Sequence, residues 1–86
     1  METEAIVTNI LEDVIGVRGV RRDSRFIDIG GNSVHLGAIL TRIHSETGVA
    51  VPVRIFFHKT DSTIAAIAAK IDSLRQESQA ELTTSH

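Results

Sequence analysis

"DIGGNSVHL", residues 28–36, is where this chain declares its architecture. Two glycines and an asparagine precede Ser33, and helical spacing of apolar residues begins directly after it. Asn32 is a strong cap type, because its side-chain oxygen can accept from an unsatisfied N–H of a first turn. The stretch therefore predicts a helix over residues 33–47, with Leu36, Ile39, Leu40 and Ile43 on its buried stripe. Gly48 follows as a stop. Gly37 lies inside this helix. Glycine there costs about 1 kcal/mol relative to alanine, and it is either tolerated or lets another surface come close. Ser33 is either an ordinary N-cap or first-turn residue or a hydroxyl presented for chemistry, the first being less compelling with Asn32 already a good cap.

Upstream, residues 16–32 show no sustained period and carry four glycines. Connections inside compact domains have a median of about 4–6 residues, so this one is long. Val17, Val20, Phe26 and Ile29 are apolar anchors that argue against disorder. Before the loop, residues 4–15 read as an amphipathic helix with Ile6, Val7, Ile10, Leu11 and Val14 on one stripe. Thr3 is placed to cap it and Gly16 to end it. Downstream, "VAVPV" (residues 49–53) has strand-like residues, but Pro52 and the lack of a partner strand favour a loop. A short helical turn is expected over residues 54–57, with Phe56 or Phe57 turned inward. Asp61 or Ser62 would then cap a last helix with Ile64, Ile67, Ala68, Ile71 and Leu74 on its stripe. After Arg75 the chain is polar and reads as a frayed tail. The expectation is an all-α, small four-helix bundle of three long helices and one short, with a long first loop. Residues 1–75 form the domain and 76–86 a flexible C-terminal tail.

Composition narrows the function classes. Eighty-six residues make one small domain with a thin core. Cysteine is absent, which removes disulfides and thiolate metal sites and fits a reducing cytoplasm. No apolar run approaches the roughly 20 residues of a membrane span, and the acidic start "METEAIV" is unlike a secretory signal. A net charge of −2 argues against nucleic acid as a partner. Arg18, Arg21, Arg22 and Arg25 cluster in the first loop. They read first as solvated arginines, and alternatively as a docking patch for an acidic partner or a phosphate.

Catalysis by the chain itself finds little support. Ser33 and His35 sit about 200° apart round a helix, so they do not form a serine–base pair. His35, His44, His58 and His86 show no i, i+4 pairing, and no metal site is expected. "GGNS" lacks the lysine and the spacing of a phosphate-binding loop. A helix N-terminus nevertheless favours an attached phosphate. Ser33 has no neighbouring base, so its activation falls to a second protein.

"FIDIGGNS", residues 26–33, resembles the phosphopantetheine attachment motif of carrier proteins, most closely the peptidyl carrier (thiolation) domain of nonribosomal peptide synthetases. The resemblance runs from about Ala5 to Leu74 and includes "LEDVIGV", "LTRIHSETGVAVPVRIFF" and "STIAAIAAKI". It implies a four-helix fold with Ser33 carrying 4′-phosphopantetheine, attached from coenzyme A by a phosphopantetheinyl transferase with magnesium. The arm's thiol would hold aminoacyl, peptidyl or aryl groups as thioesters. The carrier would catalyse nothing itself and would serve an adenylation enzyme and condensation or tailoring enzymes in antibiotic-type biosynthesis. By matched position, Asp28, Gly30, Gly31 and Asn32 shape the turn that exposes Ser33. Val34, Gly37, Ala38 and Thr41 lie on the outer face beside the arm, with Arg54 and Ile55 as further docking candidates. Asn32 stands where such carriers often have His or Asp, Val34 where they often have Leu, and Ala38 where an arginine is common. The scarcity of acids in residues 33–47, Glu46 alone, favours a peptidyl carrier over an acyl carrier for polyketide or fatty-acid synthesis. An unmodified helical interaction module is the reading from another class. Met1 just ahead of the first helix suggests a discrete (type II) carrier, with a domain excised from a longer protein as the alternative, and a monomer is expected.

Overall fold

A computed structural model of the chain describes residues 2–84, with side-chain surroundings through Glu77. Three α-helices account for most of it: α1 (Glu2–Ile15), α2 (Ser33–Thr47) and α3 (Ile64–Thr84). The short fourth element is a 3-10 helix, Val53–Phe57. The all-helical expectation is met. The short element starts one residue earlier than expected and has the tighter 3-10 hydrogen bonding, the usual form for a segment this brief. "VAVPV" forms no strand.

The helices meet along their apolar stripes, and α1 packs against both α2 and α3. Val7, Ile10, Leu11, Leu36, Ile39, Ile43, Ile64, Ile67, Ala68 and Ile71 are all buried, as their spacing predicts. Phe56 is fully buried, whereas Phe57 stays half-exposed, which decides between the two candidates for the inward ring. Three polar links reinforce the helix contacts. Thr3 is buried within α1, where its hydroxyl donates to Asp72 of α3 at 2.7 Å. It is therefore a cross-link and not the expected cap. Arg42 of α2 reaches Asp13 of α1 at 3.1 Å and Glu46 at 3.2 Å. Arg22 pairs with Glu4 of α1 through two 3.2 Å hydrogen bonds and holds that carboxyl below its ordinary value. A depressed carboxyl contributes stability above its unfolded pKa, and that contribution is lost as pH falls through the lowered range. The pair is exposed enough that solvent keeps its contribution small.

The first loop is ordered by what it does for α3. The first N–H groups of a helix have no partner inside it. Here Ile64 N–H donates to Ser24 O at 3.1 Å and Ala65 N–H to Arg22 O at 2.9 Å. Phe26 N–H returns a bond to Ser62 O at 3.1 Å, making an isolated antiparallel bridge between Arg25 and Thr63. The side-chain cap comes from Thr63, whose Oγ1 accepts from Ala66 N–H at 3.1 Å, and not from Asp61 or Ser62. Ser62 is buried and supplies its carbonyl to the loop instead. At its far end α3 continues through Thr84, well past Arg75, where a frayed tail was expected. Helix-favouring Gln, Glu, Ala and Leu residues extend the hydrogen-bonded backbone without an apolar stripe. Residues 85–86, the end of the expected tail, lie outside the described residues.

Phe26 closes the design. Its ring is fully buried and meets Phe56 edge-on at 5.2 Å and Phe57 at 6.1 Å between centroids. A Cβ on Gly31 would overlap the same ring, so only glycine lets the backbone pass over it. Phe26→Ala should lower the free energy of unfolding by about 3–5 kcal/mol, read from urea denaturation. Gly31→Ala should cost about 1–3 kcal/mol through overpacking. Gly37→Ala should act in the opposite direction, because a Cβ there meets nothing within 4 Å. A gain of about 1 kcal/mol is expected from helix propensity in the same denaturation assay.

Candidate functional site

The site is the junction between the first loop and α2. From Arg25 the chain curls through a short series of turns: Ile29 N–H to Arg25 O at 3.2 Å, Gly30 N–H to Ile27 O at 3.1 Å and Gly31 N–H to Phe26 O at 2.9 Å. Gly30 takes φ +93°, in the left-handed region where a side chain is strained. Asn32 is then extended, with φ −151° and ψ 179°, and α2 begins at Ser33. Ser33 is exposed in the first position of the helix. Asn32 is the cap, as expected: its Oδ1 accepts from Val34 N–H at 2.9 Å.

The reciprocal half of the cap is supplied by His35. Its Nδ1 accepts from Asn32 N–H at 3.3 Å, completing a capping box in which imidazole replaces the usual Glu or Gln. That bond needs an unprotonated Nδ1, with the ring proton on Nε2. His35 is thus committed to the backbone and is not a base for Ser33. The sequence disfavours His35 as a base or a metal ligand and reads it as a surface or helix-end histidine; its position three residues after the cap is the signal that it can serve as an acceptor.

The first turn of α2 contains no acidic residue. The N–H of a first helical residue has no carbonyl to reach inside the helix. A phosphate ester on Ser33 Oγ would therefore meet the positive end of α2 with no carboxylate of that turn against it. The residues present fit the group that the motif implies. Asp28 is exposed and salt-bridged to Arg25 at 2.9 Å, and Arg25 also approaches Lys59 O at 3.5 Å, so the turn is tied on both sides.

Val34, Gly37, Ala38 and Thr41 all lie exposed on one face of α2, opposite Leu36, Ile39 and Ile43. Val34 is 86% exposed, and the Thr41 hydroxyl is satisfied within the helix by Gly37 O at 2.8 Å. Arg54 is also exposed. It borders a groove of about 420 Å³ with Asp61 and Lys70. Ile55 is a correction: its side chain is buried at 8% exposure, because this side of the 3-10 helix turns into the core. The exposed apolar residues there are Val53 and Phe57, and Ile27 stands out from the first loop. Val53 and Ile27 carry no signal of exposure in the sequence, and Phe57 is there only one of two candidates for the inward ring, because a run such as "VRIFF" does not say which side of a five-residue helix faces the core. In the arginine cluster, Arg22, Arg25 and Arg21 each have a carboxylate within 4.0 Å. This favours the solvated reading over a free cationic patch. Among the described residues, no group of three or more His, Asp or Glu side chains could hold a metal ion. No described helix is long and apolar enough to cross a membrane.

Comparison with known proteins places these features. Surfactin synthase subunit 1 of Bacillus subtilis is 35% identical over 71 residues, covering 83% of this chain and 2% of the synthase. Bacitracin synthase 3 of Bacillus licheniformis is 31% identical over 81 residues, covering 94% of the chain and 1% of that protein. Gramicidin S synthase 2 of Brevibacillus brevis is 29% identical over 77 residues, covering 90% of the chain and 2% of that protein. The chain thus spans only a small part of the length of these relatives. The family model described as "Phosphopantetheine attachment site" matches residues 5–71, from within α1 to Ile71 of α3. With the glycine turn, the exposed first-turn serine and the three packed helices all inside that span, the chain belongs to the phosphopantetheine attachment family, whose members carry 4′-phosphopantetheine covalently on a serine.

Proposed function

We propose that this chain is a peptidyl carrier that holds aminoacyl, peptidyl or aryl groups as thioesters on a 4′-phosphopantetheine arm at Ser33. The carrying observation is the exposed Ser33 at the opening of α2, behind the Gly30–Gly31 turn and inside the matched span. Similarity to surfactin, bacitracin and gramicidin synthases supports a place in nonribosomal peptide or related natural-product assembly. The arm, when present, supplies the thiol on which cargo is held. The chain's own residues present the acceptor hydroxyl, keep carboxylates out of the first turn of α2 and offer a small, apolar face to partners.

In the loading reaction Ser33 Oγ forms the bond to phosphorus while the pyrophosphate bond of coenzyme A breaks. The hydroxyl proton passes to a base on the phosphopantetheinyl transferase, and adenosine 3′,5′-bisphosphate leaves. With His35 Nδ1 already bonded to Asn32 N–H, the base comes from that transferase. Asp28, Gly30, Gly31 and Asn32 hold the acceptor turn. Val34, Gly37, Ala38 and Thr41 form the face that adenylation, condensation or tailoring enzymes would touch in turn, with Arg54 as a further docking candidate. Such contacts are brief and weak, which suits a small surface. Counting the 3-10 helix as the short member, the arrangement is the four-helix carrier fold. Residues 1–75 are taken as the working domain and 76–86 as an appended segment. A monomeric, cytoplasmic carrier completes this reading.

Incubation with coenzyme A, magnesium and a broad-specificity phosphopantetheinyl transferase should add the mass of one arm, seen by intact-protein mass spectrometry. Ser33→Ala should show no gain. No gain on the parent chain, or a gain retained by the variant, overturns the assignment. Loading of the modified chain by amino-acid adenylating enzymes, and not by malonyl transferases, is the expected specificity.

A further inference from the structure

We propose that His35 is a positioning residue for the modification of Ser33, acting through Asn32. The inference rests on the reading of Ser33 as the attachment point. Residues 30 and 31 are both glycine, so no side chain there restrains the direction from which the chain enters α2. The turn is held upstream by Phe26, over whose ring Gly31 passes. Downstream, the restraint falls on Asn32 through three contacts. Asn32 O accepts from His35 N–H at 3.0 Å, Asn32 Oδ1 accepts from Val34 N–H at 2.9 Å, and Asn32 N–H donates to His35 Nδ1 at 3.3 Å.

Two of those three contacts belong to His35. The imidazole bond is the one that fixes the N–H side of Asn32, next to the glycines. Without it, the peptide joining Gly31 to Asn32 can rotate, and the Ser33 hydroxyl loses a defined direction relative to the turn that a transferase must recognise. The bond lies at the exposed edge of the turn, so water competes with it and its contribution stays on the modest scale of a capping contact. The residue type also has a reason. A glutamate at this position makes the same backward bond but adds a negative charge to the first turn, beside the phosphate that Ser33 must take up. Neutral imidazole accepts the N–H and leaves that turn free of acid, in keeping with the rest of α2 there.

The test compares the parent chain with His35→Ala, His35→Gln and Thr3→Ala in steady-state transfer of phosphopantetheine from coenzyme A, with the carrier concentration varied. Glutamine keeps an uncharged acceptor at the third helical position. Thr3→Ala removes the Thr3–Asp72 bond and serves as a stability control. It sits about 20 Å along α1 from Ile15, the residue whose Cγ2 lies 3.8 Å from a Cβ placed on Gly30. His35→Ala should lower kcat/KM about three- to tenfold, the scale set by loss of a capping contact. His35→Gln should restore most of the rate, and Thr3→Ala should leave it unchanged despite a lower melting temperature. An unaltered rate in His35→Ala overturns the proposal. A rate in His35→Gln as low as in His35→Ala also overturns it, because the imidazole would then act by direct contact with the transferase. An equal loss in Thr3→Ala overturns it as well, since stability alone would explain the effect. Failure of the parent chain to accept any arm is a different result, and it overturns the assignment of Ser33 instead.

Discussion

The burial of the Phe26 ring is the constraint on which the rest of this structure depends. A chain of 86 residues has a thin core, and three phenylalanines are its only aromatic side chains. Phe26 contacts the rings of both others edge-on and takes a place in the core that no helix supplies. In doing so it draws a long loop onto the bundle. Once drawn in, the loop has two further effects. Its carbonyls at Arg22 and Ser24 satisfy the opening N–H groups of α3, and its glycines swing the chain over the ring into α2. Core packing, helix capping and presentation of Ser33 are consequences of one side chain finding its partners.

The site presents an exposed hydroxyl at the opening of α2. Ser33 has the positive end of α2 behind it, and its own first turn lacks any acid. The imidazole closest in sequence is occupied in the cap. The exposed face of α2 beside the serine carries Val34, Gly37, Ala38 and Thr41, none of them charged. A surface of this kind can be approached by several partners in succession without a large desolvation cost at each encounter. The chain is matched along most of its length to short stretches of much longer synthases.

Much of this was legible in residue spacing, and the exceptions are instructive. The stripes of α1, α2 and α3 are periodic, and every residue placed on the buried stripe of α2 is at least half-buried. Asn32 was recognised as the cap because capping is a contact within one turn. Thr3, by contrast, looks like a cap in sequence and is a buried link to Asp72, sixty-nine residues away. Thr63 caps α3 in place of Asp61 or Ser62, because the bridge to Arg25 sets where the extended segment ends and the helix begins. Ile55 was expected at the surface and is buried, while Phe57 and Val53 are exposed. A five-residue 3-10 helix has too few turns to reveal its inner side by period.

What the sequence determined by itself is whatever depends on neighbours within a turn or two. This covers the three long helices, their apolar faces, the start of α2, the identity of Ser33 as the exposed first residue and the motif that marks it. The tertiary structure alone decided how a loop without periodicity becomes ordered, which phenylalanine turns inward, why residue 31 must be glycine and what the His35 ring is for. The reason is one of range. Helix propensity, capping and amphipathic spacing are local and leave a repeating trace. A single ring meeting two others from distant segments, or a loop carbonyl meeting the N–H of a later helix, leaves no period to read until the chain has folded.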